Sequence, residues 1–257
     1  MSRALLLAAA AAIVLAAPTG VLAQADHADH ASHAGHRPVN DAVGDPGRPQ
    51  TDRERDPDRK PVETVTFAGV KPGDKVIELF PGRGYFTRIL SKTVGPKGRV
   101  YTVMNPPADP NVPPPIMAVA QDKAYGNIEV QTSGVQEIKV PEKVDLVWTS
   151  QNYHDMRGKR MNLDIARTNK SVFDALKPGG VYLVLDHAAA PGAADAPDTL
   201  HRIDPGMVRQ DLESAGFKFE GESPVLRRTD DDHTKGVRDS GVQGHTDQFI
   251  YRFRKPK

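Results

Sequence analysis

Two His–Asp pairs in the middle of the sequence combine residue types that move protons. His154 and Asp155 follow one apolar segment, and Asp186 and His187 end another. Histidine is the usual general base near neutral pH, and a neighbouring carboxylate can fix its tautomer. We predict that these four side chains form the catalytic part of a site, although each one alone is typical of a hydrogen-bonded structural residue.

Two other segments contain residue types that bind divalent metal ions. In the amino-terminal segment histidines recur at every third position, at His27, His30, His33 and His36. A polyproline II backbone has three residues per turn and would place these imidazoles on one side, where they could collect Zn, Cu or Ni ions. A polar, flexible leader explains the pattern equally well. In the carboxyl half Asp231 and His233 are candidate ligands, although turn chemistry in an exposed loop also accounts for them.

The elements that would position these residues follow from the hydrophobic pattern. Apolar strand-like segments alternate with amphipathic helical segments, which predicts a parallel sheet covered by helices on both faces. The last two strand-like segments have no helix between them and predict an antiparallel hairpin. The predicted strands are Lys75–Phe80, Arg99–Val103, Asn127–Gln131, Val144–Thr149, Val181–Leu185, Phe217–Glu220 and Gln248–Phe253. The fold class is therefore α/β, a doubly wound, mostly parallel sheet with an antiparallel carboxyl-terminal hairpin.

Helical spacing and helix-boundary residues predict the elements between the strands. One helix begins at Pro61, and another carries Phe86 to Val94 on one face before Gly95 and Pro96 stop it. A long helix is expected from Met161 to Leu176, and Asp204 is the expected cap of a later one. The proline-rich stretch between residues 106 and 115 predicts an extended loop beside the cleft.

A glycine-rich turn follows the first predicted strand. Glu78 lies four residues before Gly82, and Gly84 directly precedes a helix. Glycines at such a turn let the backbone approach a ligand closely, and the amino end of the helix offers unpaired N–H groups. The turn lacks the third glycine of a dinucleotide fingerprint and the Lys-Ser/Thr of a P-loop. The pattern indicates a small-molecule site at the carboxyl edge of the sheet.

This turn and the segments around it resemble class I S-adenosylmethionine (SAM) methyltransferases. The matching segments are VKPGDKVIELFPGRGYFTRILSKTVGPKGRVY, VDLVWTSQNYHD and ALKPGGVYLVLDH, together with LHRIDPGMVRQDLESAGF, DDHTKGV and TDQFIYRFRKP in the carboxyl half. Over residues 52 to 257 the chain is similar to a group of exported bacterial proteins described as predicted methyltransferases. The resemblance implies SAM as cofactor, bound by Glu78, Pro81, Gly82, Gly84, Tyr85 and Asn105. Glu78 would orient the loop or contact the amino group of SAM through water.

The chain departs from the family's pattern at two positions. The family usually places an acid after strand two for the ribose hydroxyls, and here Asn105 is the polar candidate. An acid for the adenine amino group often follows strand three, where this chain has Ser133, Gly134 and Val135. An amide still donates and accepts hydrogen bonds but lacks the charge-assisted strength of a carboxylate. A non-catalytic module that binds a small molecule or a metal on the same fold is therefore an alternative.

The first residues have the layout of a removable export signal. Arg3 precedes an apolar run from Ala4 to Ala17, and small residues near Ala23 and Ala25 suit cleavage. We expect a signal peptide at residues 1–25, a disordered His-rich leader at 26–51 and a methyltransferase-like domain at 52–257. The expected location is periplasmic or secreted. The sequence has no cysteine, which excludes disulfides and thiolate sites.

Composition narrows the partners. The formal net charge is +1 with both signs mixed along the chain, which gives no electrostatic footprint for nucleic acid. We expect a small-molecule substrate, no membrane association after signal cleavage and no obligate protein partner. The leading hypothesis is methyl transfer from SAM to an unknown small acceptor outside the cytoplasm, with His154 or His187 as the base. A metal-assisted hydrolase has no recognisable ligand spacing.

Overall fold

Seven strands form one sheet in the order β3-β2-β1-β4-β5-β7-β6. They are β1 (Lys75–Leu79), β2 (Arg99–Val103), β3 (Ile128–Gln131), β4 (Val144–Ser150), β5 (Leu176–His187), β6 (Lys218–Ser223) and β7 (Gln248–Arg254). Strands β1 to β5 pair in parallel, whereas β7 pairs antiparallel with both β5 and β6. This computed structural model, which describes Met1 and residues 37–257, confirms the predicted fold class. The expected signal peptide and His27, His30, His33 and His36 lie outside the described residues.

Helices connect the strands and cover the sheet. They are α1 (residues 37–43), α2 (Gln50–Arg53), α3 (Asp56–Arg59), α4 (Pro61–Ala68), α5 (Tyr85–Val94), α6 (Ile116–Gln121), α7 (Tyr153–Arg157), α8 (Ile165–Ala175), α9 (Ala196–Thr199) and α10 (Pro205–Ser214). The Asp204 side chain accepts a hydrogen bond from Gly206 N and caps α10, as predicted. None of the helices within residues 37–257 combines the length and the apolar character that a membrane span requires.

The central strands are apolar on both faces because helices cover both. Val76 and Trp148 are fully buried on one face of the sheet, and Ile77 and Val147 are fully buried on the other. Such two-sided burial is typical of parallel sheets and explains the nearly continuous apolar runs of β1 and β4. The core thus fixes the register that places Leu79 beside Thr149, and Ser150 beside Leu185.

This register brings the carboxyl ends of β1, β4 and β5 to one edge of the sheet. The chain passes from β3 on one side of β1 to β4 on the other, so the strand order reverses next to β1. In open α/β sheets ligands bind at such a reversal, outside the carboxyl ends of the strands. The residues that follow β1, β4 and β5 are therefore placed to form one site.

The boundary between α8 and β5 differs from the prediction. A single long helix to Leu176 was expected, but Asn162 has a left-handed backbone (φ 49°) and the Asp164 side chain caps a new helix by accepting from Arg167 N at 3.1 Å. The strand then begins at Leu176 instead of Val181, because Leu176 already pairs with Val144. Local capping interrupts the expected helix, and strand pairing ends it.

The amino-terminal arm, defined here as residues 37–59, is ordered and packed on the domain. Disorder was expected up to residue 51, and for residues 37–51 that prediction is wrong. Val39 and Ala42 are each only 2% exposed. Arg48 is buried and donates two hydrogen bonds of 2.8 Å to the Asp56 carboxylate. A few well-placed apolar residues and one bidentate ion pair therefore hold a segment whose composition is mostly polar.

Residues Asp52 to Lys60 form a dense run of charges, a composition typical of a solvated helix face or a linker, but here the run is attached to the domain. It forms α2 and α3, and Arg88 of α5 pairs with Asp52 at 3.1 Å. Within the arm Arg48 binds Asp56, and Arg228 from the carboxyl half pairs with Asp58 at 3.2 Å. The charged side chains thus attach the arm to the helix that follows the glycine turn.

Candidate active site

The glycine turn after β1 is built from left-handed backbone. Phe80, Gly82 and Gly84 have φ values of 49°, 58° and 81°. A Cβ on Gly82 would meet no atom within 4 Å, so this face of the turn is open. A Cβ on Gly84 would lie 3.0 Å from Val119 and 3.1 Å from Ile116, so Gly84 permits the close packing of α6. The two glycines, expected to act together on a ligand, have different surroundings.

Glu78 is buried beneath this turn. Its residue is 4% exposed, and its carboxyl accepts a hydrogen bond of 2.5 Å from the Thr87 hydroxyl. Burial raises the pKa of Glu78 to about 8, although Thr87 and the charge of Arg59 both oppose the shift. A carboxyl in this state gains most from a cationic partner, since such a partner would favour its charged form.

A cavity of about 370 Å³ opens between the glycine turn, the end of β4 and the arm. Its walls contain Pro81, Gly82, Tyr85, Phe86, Glu78, Ser150, Gln151, Asn152, Thr51, Asp52, Arg55 and Arg59, among others. The hydroxyl of Ser150 is buried and has no hydrogen-bond partner among the described residues. The cavity therefore combines an open backbone, a buried acid, three arginines and, in its wall, a buried hydroxyl without a hydrogen-bond partner.

Arg59 is one of the arm residues that line this cavity. It donates a hydrogen bond of 2.5 Å to Oε1 of Gln151, and its guanidinium lies 4.5 Å from the ring centre of Tyr85. Burial lowers the pKa of Arg59 to about 10, with the nearby charge of Arg55 acting in the same direction, so it stays charged at neutral pH. Sequence reasoning missed Arg55 and Arg59, because a run of charges in a presumed linker carries no motif.

Two residues from the cofactor prediction have interactions of their own. The Tyr85 hydroxyl donates to Asp56 at 2.5 Å, so Tyr85 joins the arm to the glycine turn while lining the cavity. Asn105 lies elsewhere, after β2, and its Oδ1 accepts from Val135 N at 3.4 Å. Asn105 thus links the loop after β2 to the loop after β3 and does not line this cavity.

His154 and Asp186 form a buried pair at the ends of β4 and β5. His154 Nδ1 lies 2.7 Å from Asp186 Oδ1, and the His154 backbone N–H donates to Oδ2 at 2.8 Å. Burial alone would lower the pKa of His154, but the Asp186 carboxylate outweighs it and raises that pKa. Burial would raise the pKa of Asp186, but His154 outweighs it and lowers that pKa. The pair is a charge-assisted contact between fully enclosed groups.

His187 faces a second cavity of about 240 Å³. This cavity is lined by Arg55, Asp58, Arg59, Gln151, His187, Val237, Gly244, Thr246 and Gln248, so it shares three wall residues with the first. His187 Nδ1 lies 2.7 Å from the Thr246 hydroxyl, and burial lowers the pKa of His187 to about 4. His187 is therefore a neutral imidazole that lines this cavity.

Asp155 lies between two imidazoles. Its Oδ2 is 3.7 Å from His154 Nε2, and its Oδ1 is 3.7 Å from His201 Nδ1. The structure thus brings all four predicted catalytic residues to one edge and adds His201, to which the sequence analysis assigned no role. His201 reaches Asp155 because α9 contacts α7, and a contact between such distant segments leaves no pattern in the sequence.

The structure leaves no ligand position on Asp231 for a metal ion. Arg202 donates to its two carboxylate oxygens at 2.8 and 3.1 Å, and the backbone N–H groups of His233 and Asp247 also donate to it. A carboxylate accepts about four hydrogen bonds, so its acceptor sites are filled. His233 Nε2 lies 3.0 Å from the Asp247 carboxylate. The predicted metal ligands are instead parts of a buried ion-pair network.

Comparison with curated proteins finds partial similarity to quinone-pathway methyltransferases. No family model matches the chain. The chain is 32% identical over 129 residues to the ubiquinone/menaquinone biosynthesis C-methyltransferase UbiE of Pasteurella multocida, covering 48% of this chain and 43% of that protein. It is 30% identical over 129 residues to UbiE of Vibrio vulnificus, covering 48% and 45%. The chain thus spans less than half the length of these relatives.

Solved structures extend the similarity to the whole fold. A SAM-dependent methyltransferase from Aquifex aeolicus superposes with a TM-score of 0.55 at 18% identity, covering 75% of this chain and 87% of that one. An arsenic(III) SAM methyltransferase from Chlamydomonas reinhardtii gives a TM-score of 0.52 at 20% identity, covering 85% and 73%. The order of the seven strands in this sheet is consistent with these superpositions. The chain therefore has the Rossmann-like fold of class I SAM-dependent methyltransferases.

Proposed function

We propose that this protein is a SAM-dependent methyltransferase that acts on a small polar acceptor. The observation that carries the proposal is the cavity in which the open face of Gly82 meets the buried carboxyl of Glu78. Partial identity to C-methyltransferases and the shared fold support it. One structural neighbour, the glycopeptide N-methyltransferase MtfA, has a TM-score of 0.52 and was crystallised with SAM.

The residues around the first cavity fit the polar groups of SAM. The open backbone at Gly82 and the amino end of α5 would receive the carboxylate, aided by the positive charge of Arg59. Glu78 would attract the ammonium group, directly or through water, and the unpartnered hydroxyl of Ser150 would bind a polar atom of the same ligand. Asn105, outside this cavity, would serve the adenosine end. When bound, SAM supplies an electrophilic methyl group on a sulfonium, which leaves as a neutral thioether.

The second cavity would hold the acceptor. It joins the first through Arg55, Arg59 and Gln151, so an acceptor there would lie next to the cofactor. Seven of its nine lining residues have polar side chains, which would supply hydrogen-bond partners to a polar acceptor. We assign His187 the role of the base that takes the acceptor's proton as the new bond to the methyl carbon forms. His154 and Asp186 would position this edge of the site.

Calorimetry with S-adenosylhomocysteine and with SAM tests the proposal on the purified protein. We expect binding to the unchanged chain and a loss of at least about 100-fold in affinity, or about 2.7 kcal/mol, for Gly82→Val. Gly73→Val is the matched control, because Gly73 also has a positive φ (90°) and no atom within 4 Å of a built Cβ, but lies in the turn before β1. Failure of both ligands to bind at millimolar concentration would overturn the proposal.

We further propose that the protein works outside the cytoplasm. The apolar run from Ala4 to Ala17 and the small residues after it support a cleaved signal peptide. SAM is made inside cells, so an exported methyltransferase would need SAM delivered to it. Amino-terminal sequencing of the protein recovered from a periplasmic fraction is expected to give a start near Gln24 or Asp26. Recovery of the chain only in the cytoplasm, beginning at Met1, would contradict this location.

A further inference from the structure

Three side chains of metal-binding types converge near His187, which lines the second cavity. The ligand atoms of His154, Asp155 and His201 all lie within 4.8 Å of one another. They come from α7 and from the turn after α9, two helices that contact each other. The Asp155 carboxylate offers one oxygen toward each imidazole, at 3.7 Å in both cases. Two imidazoles and one carboxylate are a ligand set that zinc and similar ions accept.

The distances within the cluster do not suit hydrogen bonds. A separation of 3.7 Å is longer than a hydrogen bond between nitrogen and oxygen. His154 Nε2 has no hydrogen-bond partner among the described residues, although its side chain is only 5% exposed. Atoms bound to zinc at about 2.0–2.2 Å in a tetrahedron lie roughly 3.3–3.6 Å apart, so a shared ion suits these separations better. Nε2 of a largely buried imidazole thus lies near the Asp155 carboxylate without a hydrogen bond to it.

The other ring nitrogen of His154, Nδ1, contacts a carboxylate, as the second nitrogen of metal-binding histidines commonly does. Nδ1 lies 2.7 Å from the fully buried Asp186 carboxylate, which directs Nε2 toward Asp155 and His201. Metal-binding histidines commonly donate their second N–H to a carboxylate, which fixes the ring and raises its basicity. Together Asp155 and Asp186 also supply two negative charges, enough to balance a divalent cation.

We propose that His154, Asp155 and His201 bind one divalent transition-metal ion, zinc in the first instance, with Asp186 as the positioning residue for His154. Three protein ligands leave a coordination position open for water or for a polar acceptor. His201 has a side chain that is 28% exposed and lies in a turn, so it can move the ångström or so that closes the set. The ion would lie beside His187, whose ring centre is 6.0 Å from that of His154.

The experiment uses the full chain with His27, His30, His33 and His36 all replaced by alanine, so that the leader cannot supply ligands. Titration with Co²⁺ alone, in the absence of SAM, is expected to give the visible absorption of a four-coordinate site at one ion per chain. Calorimetry with Zn²⁺ measures affinity on the same protein. His201→Ala and Asp155→Asn change partly exposed groups and are expected to weaken Zn²⁺ binding by at least about 100-fold and abolish the absorption.

His245→Ala is the matched control, because the His245 side chain is 61% exposed and outside the cluster. It should bind Zn²⁺ like the leader-substituted chain. Asp186→Asn, if folded by circular dichroism, is expected to weaken binding by about 10- to 100-fold. No Co²⁺ absorption in the leader-substituted chain, or equal Zn²⁺ affinity in the His201→Ala and His245→Ala variants, would overturn the proposal. Because no SAM is present, this outcome is independent of the methyltransferase proposal.

Discussion

Two buried carboxyl groups at the same edge of the sheet differ in their surroundings. Asp186, at the end of β5, accepts hydrogen bonds from the backbone N–H groups of His154 and His187 and pairs with the His154 ring. Glu78, at the end of β1, accepts one hydrogen bond, from Thr87, and makes no ion pair within residues 37–257. The pKa of Asp186 is lowered, whereas that of Glu78 is raised. One carboxyl is already satisfied by the protein, and the other still lacks a cation.

The largest expected effect is a difference in the free energy of unfolding between a variant of Asp186 and a variant of Glu78. Asp186→Ala leaves the His154 ring buried without its partner and should cost about 3–5 kcal/mol of unfolding free energy. Glu78→Gln keeps the shape and the contact to Thr87, and at pH 6 it replaces a neutral acid, so it should cost less than about 1 kcal/mol. Urea unfolding at pH 6 measures both. Equal losses in the two variants would remove the distinction.

The pH dependence of stability should come from Glu78. Its pKa is about 8 in the folded protein and near 4.5 in the unfolded chain, so the folded state binds the proton more tightly. Stability from this group is complete below pH 4.5 and is lost as the pH rises through 8. Relative to Glu78→Gln, the unchanged protein should lose about 2–4 kcal/mol between pH 5 and pH 9. Parallel curves for the two proteins in urea unfolding would contradict the assignment.

A third prediction concerns kcat when His187, the last residue of β5, is replaced. For any acceptor that is methylated in a screen of small phenols, thiols and amines, His187→Gln should lower kcat by about 100-fold, because the variant removes the base. Its affinity for S-adenosylhomocysteine should stay within about threefold of the unchanged protein, since His187 lines only the second cavity. Assays of S-adenosylhomocysteine release measure kcat. An unchanged kcat would assign His187 to packing.

The smallest expected effect lies at the adenosine end. Asn105→Asp restores an acid where SAM methyltransferases usually have one, and a charge-assisted hydrogen bond to ribose should tighten SAM binding about 5- to 10-fold. Calorimetry is the measurement, with Asn111→Asp in the exposed proline-rich loop as the control. Weaker binding in Asn105→Asp would show that the ribose hydroxyls are held elsewhere, and would remove Asn105 from the cofactor site.

The predictable parts of the molecule are those that depend on residues close together in the sequence. The apolar pattern located every strand of the sheet, and the run from Glu78 to Gly84 located the turn, because strand, turn and helix are contiguous. Because parallel strands run in the same direction, the residues that end β4 and β5 were expected at one edge, and these include His154 and Asp186. Capping by Asp164 and pairing of Leu176 were not visible in periodicity, so the boundary between α8 and β5 was misplaced.

What was missed depends on contacts between distant segments. The order of the arm rests on Arg48 finding Asp56 and on Tyr85 stacking beneath arginines, and neither contact has a local pattern. His201 reaches Asp155 only because α9 lies against α7. Composition favoured disorder for residues 37–51, but a small number of buried side chains decided otherwise.

Arg59 forms part of the wall of both cavities, together with Arg55 and Gln151. A ligand that draws Arg59 away from Gln151 in one cavity changes the shape and charge of the other. By thermodynamic reciprocity, whatever factor the first ligand applies to the affinity of the second, the second applies to the first. Cofactor and acceptor would thus influence each other through side chains that line both cavities, without requiring movement of the sheet.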